Sequence, residues 1–441
     1  MFTPLQKRDL DVLWHPCSQM KDYESFPPIE IESAKGSHLF SPSGKSYIDA
    51  ISSWWCKSYG HRHPTILKGI QDQMEKFDHI ILANTTNETI VQLSEKLTSL
   101  SPNLDKVFYA GDGSSALEIA LKMSFHAQHH LGRHERKQFM GLENGYHGET
   151  LLTLGISDLG LYKKPYDKIC SEALYLKQLP YVSGKNDPLF RNCESVWGNI
   201  EEQLLKVQHK LASIVLEPMI QGAGGMLILS ADFLKRLRKF CTQHNIYLIA
   251  DEIMTGFGRT GKMLATEWAD IEADFVCLSK GLTGGSLPMS AMLTKNEIYD
   301  LFYGNYDDKI AFLHSNTHCG NALAAAAALA SFKVVEEEDI IAKANLLGDK
   351  MKESFDQISK KTQRLTNIRQ LGAMVAADLI LEPEQENERL GYQIYQEAVK
   401  QGALLRPLGN TIYWLPPLTT DLKTIDELEA ITSNAIQTIL H

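Results

Sequence analysis

Near-continuous apolar runs, three of which close on a charged side chain, recur through the middle of the chain. They are Val107-Phe108-Tyr109-Ala110, Phe139-Met140-Gly141-Leu142, Ala212-Ser213-Ile214-Val215-Leu216-Glu217, Tyr247-Leu248-Ile249-Ala250-Asp251 and Phe275-Val276-Cys277-Leu278-Ser279-Lys280. Such near-continuous runs suit strands covered on both faces of a parallel sheet. Between them lie segments of helical spacing, including Ala116 to Met123 and Leu234 to Phe240. The alternation from about 105 to 290 predicts an α/β fold with a doubly wound, mostly parallel sheet. The flanks read differently. Residues 1 to about 60 carry the short runs Ile29-Glu30-Ile31-Glu32 and Ser46-Tyr47-Ile48-Asp49-Ala50, broken by Pro27-Pro28, Gly36 and Ser43-Gly44; they predict a small β-rich segment with tight turns. A helix is predicted over Pro64 to Phe77. From about Glu336 amphipathic helices alternate with strands such as Met374-Val375-Ala376-Ala377 and Asn410 to Leu415, which predicts a separate α+β unit.

The strand ends carry the candidate chemistry. Asp251 and Lys280 close two runs of the same design twenty-nine residues apart. In open parallel sheets the carboxyl ends of strands line the ligand crevice, so the two opposite charges are expected to face one small molecule. Pyridoxal phosphate suits such a pair: its aldehyde condenses with a lysine amine, and a carboxylate beside its ring nitrogen favours the protonated electron sink. A buried ion pair tying two strands together is the alternative. Gly111-Asp112-Gly113-Ser114-Ser115 opens a helix, where exposed backbone N–H groups and the helix dipole suit a phosphate; a plain capped helix fits equally well. Tyr146, in the turn-rich Asn144-Gly145-Tyr146-His147-Gly148-Glu149-Thr150, could stack on a planar ring. In an extended Ser52-Ser53-Trp54-Trp55 the tryptophans would point to opposite faces, one into the core and one into a pocket, or both could be core. Gly281 to Gly285 reads as a mobile turn and Gly222 to Gly225 as flexible. Arg406 offers a planar fork for a carboxylate or a surface ion pair.

Composition narrows the classes. The chain has 441 residues and a formal net charge of −10, which argues for more than one structural unit and against nucleic acid as principal partner. The first twenty residues hold Lys7, Arg8, Asp9, Asp11 and His15 with no apolar core, and no apolar run reaches membrane-spanning length, so neither a signal peptide nor a membrane partner is expected. Seven scattered cysteines without a C-x-x-C pair fit a reducing, cytoplasmic setting without zinc or disulfides. His126, His130 and His134 are spaced for one helical face, yet nothing acidic or thiol-bearing completes a metal set. Cys319 with His314 or His318 matches no thiol-nucleophile motif. Gly256 to Gly261 spells G-x-G-x-x-G, and Gly256 to Lys262 most of a P-loop. Met263 stands where the P-loop needs Ser or Thr, and the dinucleotide pattern is separated from its strand, so nucleotide binding is not expected.

Asp251-Glu252-Ile253 through Gly256-Phe257-Gly258-Arg259-Thr260-Gly261, followed by Ser279-Lys280-Gly281-Leu282-Thr283-Gly284-Gly285, resembles the signature of the class III, fold-type I pyridoxal-phosphate aminotransferases, and the likeness covers nearly the whole chain. Trp14-His15-Pro16, Ser53-Trp54-Trp55, Gly145-Tyr146-His147-Gly148, Gln221 to Met226 and Arg406-Pro407 resemble the branch of that family in biotin biosynthesis that aminates 8-amino-7-oxononanoate with S-adenosylmethionine as donor; another donor, such as lysine, or another keto acceptor is the alternative. The resemblance implies a large cofactor-binding domain over 61–330 and a small α+β domain built from both termini, 1–60 and 331–441. It implies catalytic roles for Lys280, Asp251 and Tyr146, and cofactor contacts from Gly113, Ser114, Tyr146, Asp251, Ile253, Lys280, Asn316 and Thr317, with Thr317 reaching across from the partner of a homodimer. It further implies substrate contacts from Trp54, Tyr146, Lys280, Ser315 and Arg406, more distant roles for Arg259 and Glu149, and no metal. The chain departs from the family at Cys17, where a tyrosine is usual, and a thiol cannot reproduce a phenol's reach, hydrogen bond and ring face. Glu149 for the usual aspartate is a milder change, one methylene longer.

Overall fold

The computed structural model describes residues 2–385 and 387–440. Its largest sheet has seven strands: β1 (Lys106–Ala110), β2 (Gln138–Leu142), β3 (Leu174–Leu176), β4 (Leu211–Leu216), β5 (Tyr247–Asp251), β6 (Phe275–Leu278) and β7 (Ser290–Thr294), in the order β1-β7-β6-β5-β4-β2-β3. From β6 to β3 every neighbouring pair is parallel, and β7 runs antiparallel to both β6 and β1. Every residue of β4, β6 and β7 is buried, because helices cover both faces of the sheet, as the unbroken apolar runs predict. Among those helices are α1 (Gly113–His130) and α2 (Ala231–Gln243). α2 starts where the Ser230 side chain accepts from Phe233 N–H at 3.3 Å, and it buries Phe233, Leu234, Leu237, Phe240 and Cys241 on one stripe. Each such apolar side chain contributes about 1.5–3 kcal/mol on burial.

The two ends of the chain come together. Strand Ala403–Leu404 pairs in parallel with Ser46–Asp49, completing a four-stranded sheet with Ser33–Lys35 and His38–Phe40. Leu365–Gln370, Val375–Leu379 and Thr411–Trp414 form an antiparallel sheet, and one apolar cluster joins Ile48 and Ala50 to Met351, Trp414, Leu428 and Ile436. Among the described residues no helix is long and apolar enough to cross a membrane.

Several local expectations are corrected. The N-terminal segment opens with a helix, Pro4–Val12, set by a Thr3/Gln6 capping box and Pro4 in its first turn; it buries no residue, so it lacks the apolar stripe that marks a helix in sequence. Ile29–Glu32 forms no strand, although Glu32 N–H donates to Phe40 O at 2.8 Å. Gly281–Gly285 is packed: Gly281, Leu282 and Thr283 are buried in a 3₁₀ turn, and a Cβ on Gly285 would stand 2.5 Å from Cys56 O. The Gly222–Gly225 stretch is packed too, since a Cβ on Gly222 would stand 3.0 Å from both Met254 and Trp55.

The largest departure is at the tryptophan doublet. Ser52, Ser53, Trp54 and Trp55 have φ of +49°, +44°, +72° and +69°, a left-handed turn in place of the extended segment expected. Such a backbone costs roughly 1–2 kcal/mol per residue, and a dense set of bonds offsets it. Asp49 accepts from Ser53 N–H at 2.9 Å and Ser53 Oγ at 2.7 Å. Ser52 Oγ donates to Leu415 O at 2.7 Å, and the buried Arg259 donates to Pro416 O at 2.8 Å and Ala373 O at 3.0 Å.

Candidate active site

Register brings the two charged strand ends together. Asp251 lies opposite Cys277 in the β5–β6 pair, and Lys280 follows three residues beyond, with φ of +41°. Both line a cavity of about 960 Å³ at the carboxyl ends of the parallel strands, together with Gly113, Ser114, Trp54, Tyr146, Ile253 and Arg406. Two of its walls are backbone. α1 begins at Gly113, where the carboxylate of Asp112 is turned back onto Ser115, accepting from its N–H at 2.9 Å and its Oγ at 2.8 Å. The N–H groups of Gly113 and Ser114 have no acceptor within the helix. A Cβ on Gly113 would lie 2.8 Å from Ile253 Cδ1, and one on Gly148, at φ +116°, would collide with Ser114 Oγ. Only glycine fits at 148, whereas a side chain at 113 would have to push Ile253 aside.

Asp251 does not pair with Lys280 as a simple ion pair. Its Oδ2 accepts from His147 Nδ1 at 2.8 Å and its Oδ1 from Ile253 N–H at 3.2 Å. A carboxylate can only accept, so the hydrogen of His147 resides on Nδ1; the buried Nε2 has no partner among the described residues. Glu217 forms the adjoining wall, with Oε2 accepting from Tyr146 N–H at 3.0 Å and Oε1 from Gly222 N–H at 2.9 Å. Burial pushes its carboxyl up to about 7, Asp251 adding to the effect and His147 opposing it. Burial likewise holds the Lys280 amine below the ordinary lysine range, against the pull of Asp251 and Glu217. Tyr146 donates to Glu149 Oε1 at 3.0 Å, and burial, then the Glu149 charge, keep its phenol protonated far above the usual range.

At the cavity mouth Arg406 lies 4.4 Å over the Trp54 ring and donates to Cys17 O at 3.0 Å. Cys17 lines the same mouth with Tyr162, whose ring centroid is 6.2 Å from that of Tyr146. Trp54 is 41% exposed and Trp55 6%, so one tryptophan faces the opening and the other packs inward.

Ser315, Asn316 and Thr317 are not among the residues lining this cavity. Thr317 O accepts from His79 at 3.1 Å, and Asn316 Oδ1 is buried without a partner among the described residues. Arg259 also stands apart from the cavity, bonded to backbone carbonyls. His126 and His130 lie on α1 and stack on each other, whereas His134 lies beyond the helix end, 2.9 Å from His129; among the described residues no group of acidic, histidine or cysteine side chains could hold a metal. Sequence reasoning left His147, Glu217 and Tyr162 without a role at this cavity. The signal for Glu217 was visible, since it closes β4 as Asp251 closes β5. Tyr162 carries no signal, lying in a one-turn helix, Gly160–Lys163.

Residues 19–436 match the family "Aminotransferase class-III". The adenosylmethionine-8-amino-7-oxononanoate aminotransferase of Helicobacter pylori is 42% identical over 413 residues, 93% of this chain and 92% of that one, and the enzyme of that name from Anoxybacillus flavithermus is 36% identical, covering 96% and 94%. Among solved structures, the enzyme of that name from Methanocaldococcus jannaschii superposes with a TM-score of 0.90 at 30% identity over 99% of both chains, and an amine transaminase from an uncultivated Pseudomonas species, in a PLP-bound form, with 0.88 at 27% over 97% and 99%. The chain belongs to the class III aminotransferases.

Proposed function

We propose that this enzyme moves the amino group of S-adenosylmethionine to the ketone of 8-amino-7-oxononanoate, as the names of its relatives suggest, using the pyridoxal phosphate that the similar amine transaminase binds. The observation that carries the reading is the convergence of Lys280, the His147-supported Asp251 and the Gly113–Ser114 backbone on one cavity. These residues fit the cofactor: the unpartnered first-turn N–H groups suit its phosphate, Asp251 its ring nitrogen, Ile253 and Tyr146 its two faces, and Lys280 its aldehyde. When bound, the cofactor supplies a carbonyl that condenses with amines and a ring that accepts the electron pair left by deprotonation. Asp251, held by His147 Nδ1–H, would hold the ring nitrogen, where its negative charge would favour the protonated form. With the cofactor bound, Lys280 Nζ as a free, neutral amine would be the base that takes the proton from the donor's α-carbon and holds it for return. The burial that depresses the Lys280 amine makes the neutral form accessible. Arg406 and Trp54 bind the substrate at the mouth.

Ser315, Asn316 and Thr317 are assigned to the cavity of a second copy in a homodimer. Their segment also presents Tyr303, Tyr306 and Leu313 at 73%, 87% and 90% exposure, apolar area that suits an interface. Residues 1–60 with 331–441 are assigned to the small domain and 61–330 to the large one. Incubating the cofactor-loaded enzyme with S-adenosylmethionine, and separately with lysine, tests the donor. Loss of the visible band with S-adenosylmethionine and not with lysine is expected; the reverse overturns the donor assignment.

A further inference from the structure

Trp55 lies against the reactive amine. Lys280 Nζ stands 4.7 Å from the centroid of its indole, inside the range over which a cation is attracted to an aromatic face. The indole itself is pinned on several sides. Its Nε1–H donates to the buried Tyr413 OH at 2.9 Å, the two rings meeting edge-on with centroids 6.2 Å apart. Gly222 closes against it, a Cβ there reaching within 3.0 Å of Cζ3, and the left-handed turn fixes its backbone. The charged or titratable groups acting on Lys280 are Asp251 and Glu217, at the ends of β5 and β4, and Cys56, next to Trp55. Both carboxylates are tied to other donors, Asp251 to His147 and Ile253, Glu217 to Tyr146 and Gly222.

We propose that Trp55 is a positioning residue for Lys280: its indole face holds the side-chain ammonium and thereby sets how readily that nitrogen releases its proton. A base that takes a proton from carbon and gives it back needs both forms within reach at working pH. Burial favours the neutral amine, and the π face favours the ammonium. Trp55 thus adds to the pull of Asp251 and Glu217 against burial. This role rests on Lys280 being the reactive amine.

The experiment uses the full chain stripped of cofactor and reads the amine directly, without turnover. Lys280 is methylated with formaldehyde and cyanoborohydride across a pH series, and the extent is followed by mass spectrometry of its peptide. A desolvated cation–π contact corresponds to roughly one unit in the protonation midpoint, tenfold in the equilibrium. Removing the face destabilises the ammonium, so Trp55→Leu is expected to move the midpoint down by about one unit. Trp55→Phe, which keeps a weaker face, is expected to move it down by less than half of that. A midpoint that stays or rises in Trp55→Leu overturns the proposal. If the leucine variant does not fold, Trp55→Phe decides, a downward shift of about a third of a unit supporting the role and no shift overturning it. The labelling involves no substrate, so a wrong amino donor would leave the shift intact. An unshifted midpoint in an active transaminase would remove the Trp55 role alone.

Discussion

Glu217 makes the stability of the cofactor-free protein depend on pH in a calculable way. Its carboxyl is pushed up to about 7 from an ordinary 4.5, chiefly by burial, so between those values the folded state binds a proton that the unfolded state has released. Stability contributed by that proton is present at low pH and is lost as pH rises through 7. Integrating the two titrations from pH 5 to pH 8 gives a loss of about 2.5 kcal/mol. Glu217→Gln removes the titration. The amide turns one N–H pair at Tyr146 or Gly222 into a donor–donor contact costing about 1–3 kcal/mol, but that cost is the same at both pH values and cancels in the comparison. Glu252, also buried and pushed up to about 7, contributes equally to both proteins and cancels as well. With an unfolding entropy of about 2.1 cal/mol/K per residue over 441 residues, the difference in Tm between variant and parent should shift by about 3 °C in favour of the variant between pH 5 and 8. Differential scanning fluorimetry of the two cofactor-free proteins measures it. A Tm gap that is constant across the range, or that closes in the opposite sense, refutes the assignment of a buried, proton-binding Glu217.

Other outcomes follow from the same site. Lys280→Ala should still take up cofactor but lose at least about 10²–10⁴ in turnover, read from absorbance titration beside a steady-state assay; near-normal turnover would contradict its role. His147→Leu removes the charged hydrogen bond to Asp251, worth about 1.5–3 kcal/mol, and should weaken cofactor binding by about 10–100-fold; an unchanged Kd would sink the His147–Asp251 support. Cys17→Tyr restores the phenol usual in the family and should change donor KM more than cofactor Kd. An equal change in both would show that residue 17 acts on the cofactor pocket.

The parallel sheet was legible because β4, β5 and β6 are buried on both faces and therefore carry unbroken apolar runs. The positions of Asp251 and Lys280 followed from the same logic, since a charge at the end of such a strand has only the crevice to face. What escaped was set by contacts distant in sequence. The left-handed turn at Ser52–Trp55 depends on Leu415, Ala373 and Pro416 through Ser52 and Arg259, and no local pattern encodes those partners. The packing of Gly281–Gly285 depends on Cys56 in the same way, so a glycine run that reads as loose is closely packed. The Pro4–Val12 helix lay hidden for the opposite reason: it buries nothing, so only its cap betrays it.

The reversed hand of the chain at residues 52–55 also constrains how such enzymes can be recombined. The aromatic wall of the pocket is encoded near the N-terminus with Asp49, yet the backbone acceptors that complete its scaffold are encoded beyond residue 370. A hybrid that takes its first sixty residues from a relative and keeps its own last seventy inherits the strained turn without the matched supports. Exchanging both ends together should preserve the pocket, and exchanging either alone should distort it.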